Sequence, residues 1–291
     1  MKLCKVLGVS TSGYYKWRTK EKSKMEERQE IIKEQIVRIF HENRKVYGSP
    51  RIANELHKNE VKVSETTVAR YMKQLGLSAI SLLHYVVTTD SKHTDLIYPN
   101  LLKRKFKADF PNQIWVADIT YIWTSEGWIY LASIMDLFSR KIIGWNIDTK
   151  LTKELVIVAL ERALTFRTPS KGLIHHSDRG SQYASKEYTK ILHTNKIEIS
   201  MSRKGDCYDN ACIESFHASL KKELVYRVKF KSRKEAKLAV WTYISNFYND
   251  KRSHSTLNYV SPNQFEELFE TERRKNTLLL PATFEDEQLS F

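Results

Sequence analysis

The sequence is poor in cysteine, glycine-rich loops and long hydrophobic runs. Three cysteines among 291 residues are an odd number and give no disulfide framework, as expected for a chain in a reducing compartment. No run reaches the roughly 18 apolar residues of a membrane span, and the first residues lack the apolar stretch of a secretory signal. We therefore expect a cytoplasmic protein without a membrane anchor. The absence of a glycine-rich phosphate loop argues against nucleotide hydrolysis.

Acidic residues are scarce relative to basic ones, and the imbalance is uneven along the chain. The formal net charge is +14 and the pI is about 9.5. Residues 1–107 carry 22 Lys and Arg against 11 Asp and Glu, residues 108–214 carry 13 of each, and residues 215–291 carry 13 against 10. A basic N-terminal third joined to a neutral middle is typical of a DNA-binding portion attached to a catalytic core. A solvated basic surface without a partner is the alternative.

The N-terminal third has the patterns of short helices. Residues 1–17 end in a turn and a short aromatic, basic segment, so we predict a partial helix-turn-helix tail and linker over residues 1–26. Apolar stripes with helical spacing predict three helices over residues 27–77. Ser49 is the expected N-cap of the second helix, and Gly76 ends the third.

The polar start of the third predicted helix favours a helix-turn-helix DNA-binding domain over a plain three-helix bundle. Arg51, Arg70 and Lys73 are the candidate DNA contacts of this domain. Residues 78–107 lack a sustained period and end in a basic cluster, which indicates a basic linker.

From residue 108 onwards β-rich segments alternate with helical ones, which predicts an α/β catalytic core over residues 108–228. A C-terminal helical part follows over residues 229–270, and the tail, residues 271–291, has no interpretable motif. Thr152 is the expected N-cap of an amphipathic helix that ends at Phe166.

Three acidic residues of this core are candidates for metal chemistry. Asp118 lies within an apolar strand, where a carboxylate is costly unless it is paired or bound to a metal ion. Asp178 follows a short strand, and Glu214 lies in the first turns of a helix. Hard divalent cations prefer oxygen ligands, and two such ions can promote an in-line displacement at phosphorus. Taken singly, each residue also fits a structural role.

Five ordered segments of the chain resemble the retroviral-integrase superfamily, and most closely the OrfB transposases of bacterial insertion sequences. The interval from Asp178 to Glu214 spans 35 intervening residues. The matching segments are Val46-Tyr47-Gly48-Ser49-Pro50-Arg51, Trp115-Val116-Ala117-Asp118-Ile119-Thr120-Tyr121, His176-Ser177-Asp178-Arg179-Gly180-Ser181-Gln182-Tyr183, Ser202 to Ala211 running on to Glu214-Ser215-Phe216, and Tyr248 to Leu257 with Ser261-Pro262.

The resemblance implies an RNase H-like catalytic core with an N-terminal all-α helix-turn-helix region and a C-terminal helical extension. It also implies that Asp118, Asp178 and Glu214 form a catalytic, metal-binding triad for two divalent ions, Mg²⁺ or Mn²⁺. A basic residue seven positions after the glutamate, here Lys221, is implied as a DNA contact. Helical spacing places His217 on the same face, so His217 is a second candidate for DNA binding.

The expected function is that of a transposase, which cuts and transfers DNA strands during transposition, integration and recombination of an insertion sequence. The expected partners are double-stranded DNA of the element ends and the target, a second copy of the chain on DNA, and the upstream-frame protein OrfA, with nucleoid association when bound. A catalytically silent DNA-binding regulator derived from a transposase is the alternative.

Two further acidic residues are expected to have structural roles. Asp136 ends a strand and is predicted to pair with Arg140 or to cap the following turn. Asp209 precedes the helix that carries Glu214 and is the expected cap of that helix.

Overall fold

The computed structural model describes residues 2–19, 21–79, 96–169, 171–203 and 207–278. The chain divides into two compact units, Met1–Ile80 and Ser81–Phe291. Residues 80–95 of the predicted basic linker and residues 279–291 of the predicted tail lie outside the described residues.

The described part of the first unit is helical. Its helices are α1 (Lys2–Val6), α2 (Thr11–Arg18), α3 (Lys24–Glu42), α4 (Ser49–Lys58) and α5 (Glu65–Gln74). The predicted apolar stripes form its core, because Ile36, Ile52, Leu56 and Val68 are fully buried between α3, α4 and α5.

Side-chain caps fix the ends of these helices. Ser23 begins α3 with a capping box in which Glu26 reciprocates, and Ser64 begins α5 by accepting a bond from the Thr67 amide at 3.2 Å. The prediction for α4 was wrong by one residue, since Gly48 is its N-cap and Ser49 is its first residue. Pro50, the second residue of α4, has no backbone N–H, so the first turn has one donor fewer that needs a side-chain cap.

The second unit contains a mixed sheet with helices on its two faces. Its elements are β1 (Ile114–Thr124), β2 (Gly127–Asp136), β3 (Lys141–Asp148), α6 (Lys153–Phe166), β4 (Ile174–Ser177), α7 (Ser181–Ala184), α8 (Lys186–Thr194), β5 (Glu198–Met201), α9 (Ala211–Glu223), α10 (Arg233–Tyr243), which continues as a π-helical turn over Ile244–Tyr248, and α11 (Pro262–Leu278). The strand order is β3-β2-β1-β4-β5, with β1 parallel to β4, β4 parallel to β5 and the other neighbours antiparallel.

Both faces of β1 are covered, which explains its nearly continuous apolar sequence. Trp115 and Ala117 belong to the core that α6 and α8 form on one face. Val116 and Ile122 point to the opposite face and are also fully buried, and α9 and α10 pack on β1. Asp118 has the same parity as Val116 and therefore faces α9.

Some helices cross the predicted domain limits, which stay predictions. Helix α3 begins at Lys24, within the segment 1–26, and α11 continues past residue 270 to Leu278, while the helix of Glu214 begins at Ala211 after a 3-10 turn. Thr152 occupies the N-cap position of α6 but makes no side-chain bond to a capped amide. Within the described residues, no helix is long and apolar enough to cross a membrane.

Gly144 of β3 allows α6 to approach the sheet closely. A Cβ atom at this position would lie 2.7 Å from Ala163 Cβ and 2.8 Å from the Ala163 amide nitrogen, and it would also clash with the Ala159 carbonyl oxygen. We expect Gly144→Ala to lower the free energy of unfolding by about 1–3 kcal/mol, because the clash is with backbone that cannot move alone. Thermal unfolding should show a decrease in Tm of roughly 2–12 °C. Asn146→Ala in the same strand is the control, and an equal Tm for both variants would contradict the close-approach argument.

Candidate active site

The strand pairing brings two of the three predicted carboxylates to adjacent positions. In the parallel ladder between β1 and β4, Trp115 pairs with His175 and Val116 with His176. Asp178 directly follows the last residue of β4, and continuing this register by two positions brings it beside Asp118. Neighbouring strands are about 4.8 Å apart, so the two carboxylates share one site at the carboxyl end of β4.

Helix α9 is attached to β1 beside Asp118 and brings Glu214 to the same place. The Asn210 side-chain amide, at the start of α9, donates to the Ala117 carbonyl oxygen at 3.0 Å. One turn after Glu214, His217 Nδ1 lies 3.1 Å from Asp118 Oδ2. These two bonds fix the first turns of α9 against the strand residue that precedes Asp118 and against Asp118 itself.

The electrostatics of Glu214 reflect this convergence. Burial, and then the negative charges of Asp118 and Asp178, raise the pKa of Glu214 to about 7. Lys221 is half-buried on the same helix, where desolvation lowers the pKa of its ammonium group while Asp118 opposes that shift. Glu214 is thus within electrostatic reach of Asp118 and Asp178, and Lys221 is within reach of Asp118.

His217 forms part of a buried chain of hydrogen bonds. Its Nε2 lies 2.7 Å from Ser133 Oγ, and Ser133 pairs with Asp118 across the β1–β2 ladder. A carboxylate only accepts, so Nδ1 donates to Asp118, and Nε2 bonds the Ser133 hydroxyl. Both ring nitrogens bond within the protein, and the ring is buried. The position of His217 therefore suits a role in orienting Asp118 better than the DNA contact expected from the sequence.

The donor set has the chemistry of a site for hard divalent cations. All three side chains are carboxylates, and their mutual repulsion, visible in the raised pKa of Glu214, is relieved when a cation binds among them. Across the described residues, however, no three His, Cys, Asp or Glu side chains already enclose a volume suited to a metal ion.

The other acidic residues of the core have structural roles. Asp136 accepts from the Asn112 amide at 2.8 Å and from the Phe138 amide at 3.0 Å. It therefore caps the turn after β2, which is one of its two predicted roles. The prediction for Asp209 was wrong. Its buried carboxylate pairs with Arg203 at 3.0 Å and with Arg104 at 3.3 Å, and Asn210 is the N-cap residue of α9.

The three candidate DNA contacts of the first unit lie on two helices. Arg70 and Lys73 are exposed on α5 and are three residues apart, so they share a face of that helix. Arg51 is partly buried on α4, with its guanidinium 5.4 Å from the centre of the Tyr47 ring.

Sequence reasoning missed two residues that orient the site. Ser133 and Asn210 contact the site only through tertiary pairing, because each hydrogen-bonds a residue more than 80 positions away. The polar side chain of Ser133 in an otherwise apolar strand was the one available signal.

Comparisons with known proteins identify the family and the domains of the chain. The chain matches family models of an integrase core domain over residues 108–207 and again over residues 195–262, and of an HTH-like domain over residues 26–82. It is 42% identical to an uncharacterized 31 kDa protein of insertion element IS600 from Shigella sonnei, over 92% of this chain and 98% of that protein. It is 41% identical to the transposase for insertion sequence element IS904 from Lactococcus lactis subsp. lactis (84% of this chain, 96% of that protein). It is also 39% identical to transposase InsF for insertion sequence IS3A from Escherichia coli K12 (91% and 92%).

The chain therefore belongs to the insertion-sequence transposases that carry an integrase core domain. The predicted family, the RNase H-like core and the N-terminal helix-turn-helix domain are confirmed. Proteins of this class are DDE-type polynucleotidyl transferases, and the transposase interpretation is favoured over the silent regulator.

The raised pKa of Glu214 predicts how pH affects the stability of the metal-free protein. A carboxyl group whose pKa rises from 4.5 to about 7 on folding stabilises the fold at low pH and loses that contribution as the pH passes 7. We expect Glu214→Gln, which mimics the protonated form, to raise Tm more at pH 8 than at pH 5. Thermal unfolding in EDTA measures this difference, with Glu198→Gln at an exposed position as control. A Tm difference that is the same at both pH values would contradict the raised pKa, and with it the burial of Glu214 beside the two aspartates.

Proposed function

We propose that Asp118, Asp178 and Glu214 together hold two divalent metal ions, Mg²⁺ or Mn²⁺, and form the catalytic triad for DNA strand cleavage and strand transfer. The carrying observation is the β1–β4 register, which brings Asp118 opposite Asp178, with α9 attached alongside. When bound, such ions activate the attacking oxygen and stabilise the leaving oxygen at phosphorus.

The protein residues supply position and charge for two successive displacements. In the first, water cuts a strand at the element end and leaves a 3′-hydroxyl. In the second, that hydroxyl attacks another phosphodiester, so each step exchanges one P–O bond for another and needs neither ATP nor a covalent enzyme intermediate. His217 and Ser133 hold Asp118 in orientation, and the Lys221 ammonium binds a phosphate of the DNA near Glu214.

The DNA partners we propose are the element ends and the target duplex. Arg70 and Lys73 on the exposed face of α5, with Arg51 on α4, contact the element ends from the helix-turn-helix domain. Recombination joins two ends, so we further propose at least a dimer on DNA, and association with or fusion to the upstream-frame protein OrfA. Cross-linking of active complexes that yields only monomers would contradict the dimer.

A strand-transfer assay with labelled element-end DNA and Mg²⁺ tests the triad. We expect Asp118→Asn, Asp178→Asn and Glu214→Gln each to reduce activity by at least about 100-fold, because each removes a carboxylate that would hold the metal ions at the reacting phosphate. DNA binding should be retained in all three, and Glu198→Gln is the matched control at an exposed position.

The result also separates the enzyme from the silent regulator. Wild-type protein that binds the element ends but makes no product, even when the upstream frame is fused to it, would support the regulator. Equal activity of the triad variants and the control would place the reaction at other residues.

The hydrogen bond between Ser133 and His217 predicts how loss of the serine hydroxyl changes the Mg²⁺ dependence of activity. Ser133→Ala removes the hydroxyl that holds the ring against Asp118, so the carboxylate loses its fixed orientation. We expect the Mg²⁺ concentration for half-maximal activity to rise about 10-fold or more, as for other residues that support a metal ligand. Activity at saturating Mg²⁺ should be largely restored. A uniform loss at all Mg²⁺ concentrations would contradict the orienting role.

A further inference from the structure

Many cations of the catalytic unit are neutralised within it. The ion pairs that involve them are Lys141–Glu266, Arg167–Glu266, Lys153–Glu187, Arg104–Asp209, Arg203–Asp209 and Arg252–Glu223. Against this background, unpaired positive charge on the same unit requires a separate explanation, since clustered like charges repel and destabilise the folded state.

The chain that follows Glu214 carries such a surplus. Residues 215–237 contain eight Lys and Arg against two Asp and Glu. Neither acid balances the exposed cations: Glu223 is buried with Arg252, and Glu235 accepts a bond from the Lys231 backbone amide at 2.7 Å. Lys229, Lys231 and Lys234 are exposed, and none of the three has an ion pair within the described part of the chain.

The backbone presents these three lysines on one surface. The segment between α9 and α10 is extended at Val228, with φ −130° and ψ 128°. Phe230 is buried, and its carbonyl oxygen accepts from the Ser125 amide at 2.9 Å. Alternate residues of an extended chain point to opposite sides, so Lys229 and Lys231 project outwards together.

Helix α10 continues this surface. Its inner face is formed by Ala236, Val240 and Tyr243, which are all fully buried. Lys234 lies two residues before Ala236 on the opposite side of the helix and is exposed. We call the three residues Lys229, Lys231 and Lys234 the cationic strip.

We propose that the cationic strip binds the phosphate backbone of duplex DNA beside the cleavage site. This inference rests on the proposed function, because that function names duplex DNA as the substrate. A row of unpaired lysines fits a polyanion, and the strip follows α9, the helix that carries Glu214 and Lys221, after a short 3-10 turn over Val225–Arg227.

The position of the strip in the fold gives its distance from the reacting phosphate. Ser125, which anchors Phe230, is seven residues beyond Asp118 along β1. Seven strand residues span about 23 Å, which is the length of about seven base pairs of duplex DNA. On this proposal the duplex runs along β1, so that the lysines contact its backbone about seven base pairs from the bond that is cut.

The salt dependence of binding tests the strip in the full chain. The variant is Lys229→Ala/Lys231→Ala/Lys234→Ala, and the probe is labelled element-end duplex. We expect the slope of log Kd against log salt to fall in magnitude by about 2–3, since each phosphate contact contributes about 0.9. Hydroxyl-radical footprinting should show protection about seven base pairs from the cut bond in the wild type but not in the variant.

The matched control is Lys171→Ala/Lys186→Ala/Lys190→Ala, which removes the same charge from exposed positions elsewhere on the catalytic unit. A slope change that is equal in both triple variants would mean that only net charge matters and would overturn the strip. An unchanged slope, in protein that still cuts the DNA, would overturn it as well and leave the triad intact. Failure of the wild-type protein to bind the duplex would overturn the proposed function together with the strip.

Discussion

The repulsion among three carboxylates is the constraint on which the catalytic unit depends. Backbone pairing between β1 and β4 brings Asp118 and Asp178 together. A change of side-chain rotamer cannot separate the two backbone positions. Glu214 is added by a helix that is bonded to β1 at Ala117 and at Asp118. The fold thus concentrates negative charge, and burial of Glu214 together with the charges of Asp118 and Asp178 raises its pKa.

The opposite side of α9 carries the interactions that balance this repulsion. Phe216 packs against Tyr248 with ring centres 4.7 Å apart, and Glu223 forms a buried ion pair with Arg252 at 2.7 Å. Tyr243 donates to Glu223 at 2.7 Å as well. Loss of one partner of a buried ion pair typically costs about 3–5 kcal/mol. The C-terminal segment therefore fixes the rotation of α9, and with it the direction in which Glu214 points.

Sequence reasoning predicted the features that depend on local pattern or family resemblance. The strands of the core and the helix of Glu214 belong to this group, and helical spacing put His217 and Lys221 on the same helix face as Glu214. The catalytic role of Asp118, Asp178 and Glu214 stays a prediction. The failures were tertiary. Asp209 has a strong local preference for capping, but Arg203 and Arg104 bind its carboxylate instead. Similarly, nothing in the sequence around Glu223 indicates a partner 29 residues away.

The distribution of charge along α9 follows from two opposing requirements. In the proposed function, cations bind at the carboxylates, so a freely mobile lysine there would compete with them by forming an ion pair. The same proposal needs DNA phosphates to be attracted close by, which requires positive protein charge. Lys221 meets both requirements because its partial burial weakens its charged form while the charge of Asp118 strengthens it. Further along the chain, beyond the last turn of α9, this competition ends, and exposed lysines such as Lys229 and Lys231 accumulate without acidic partners.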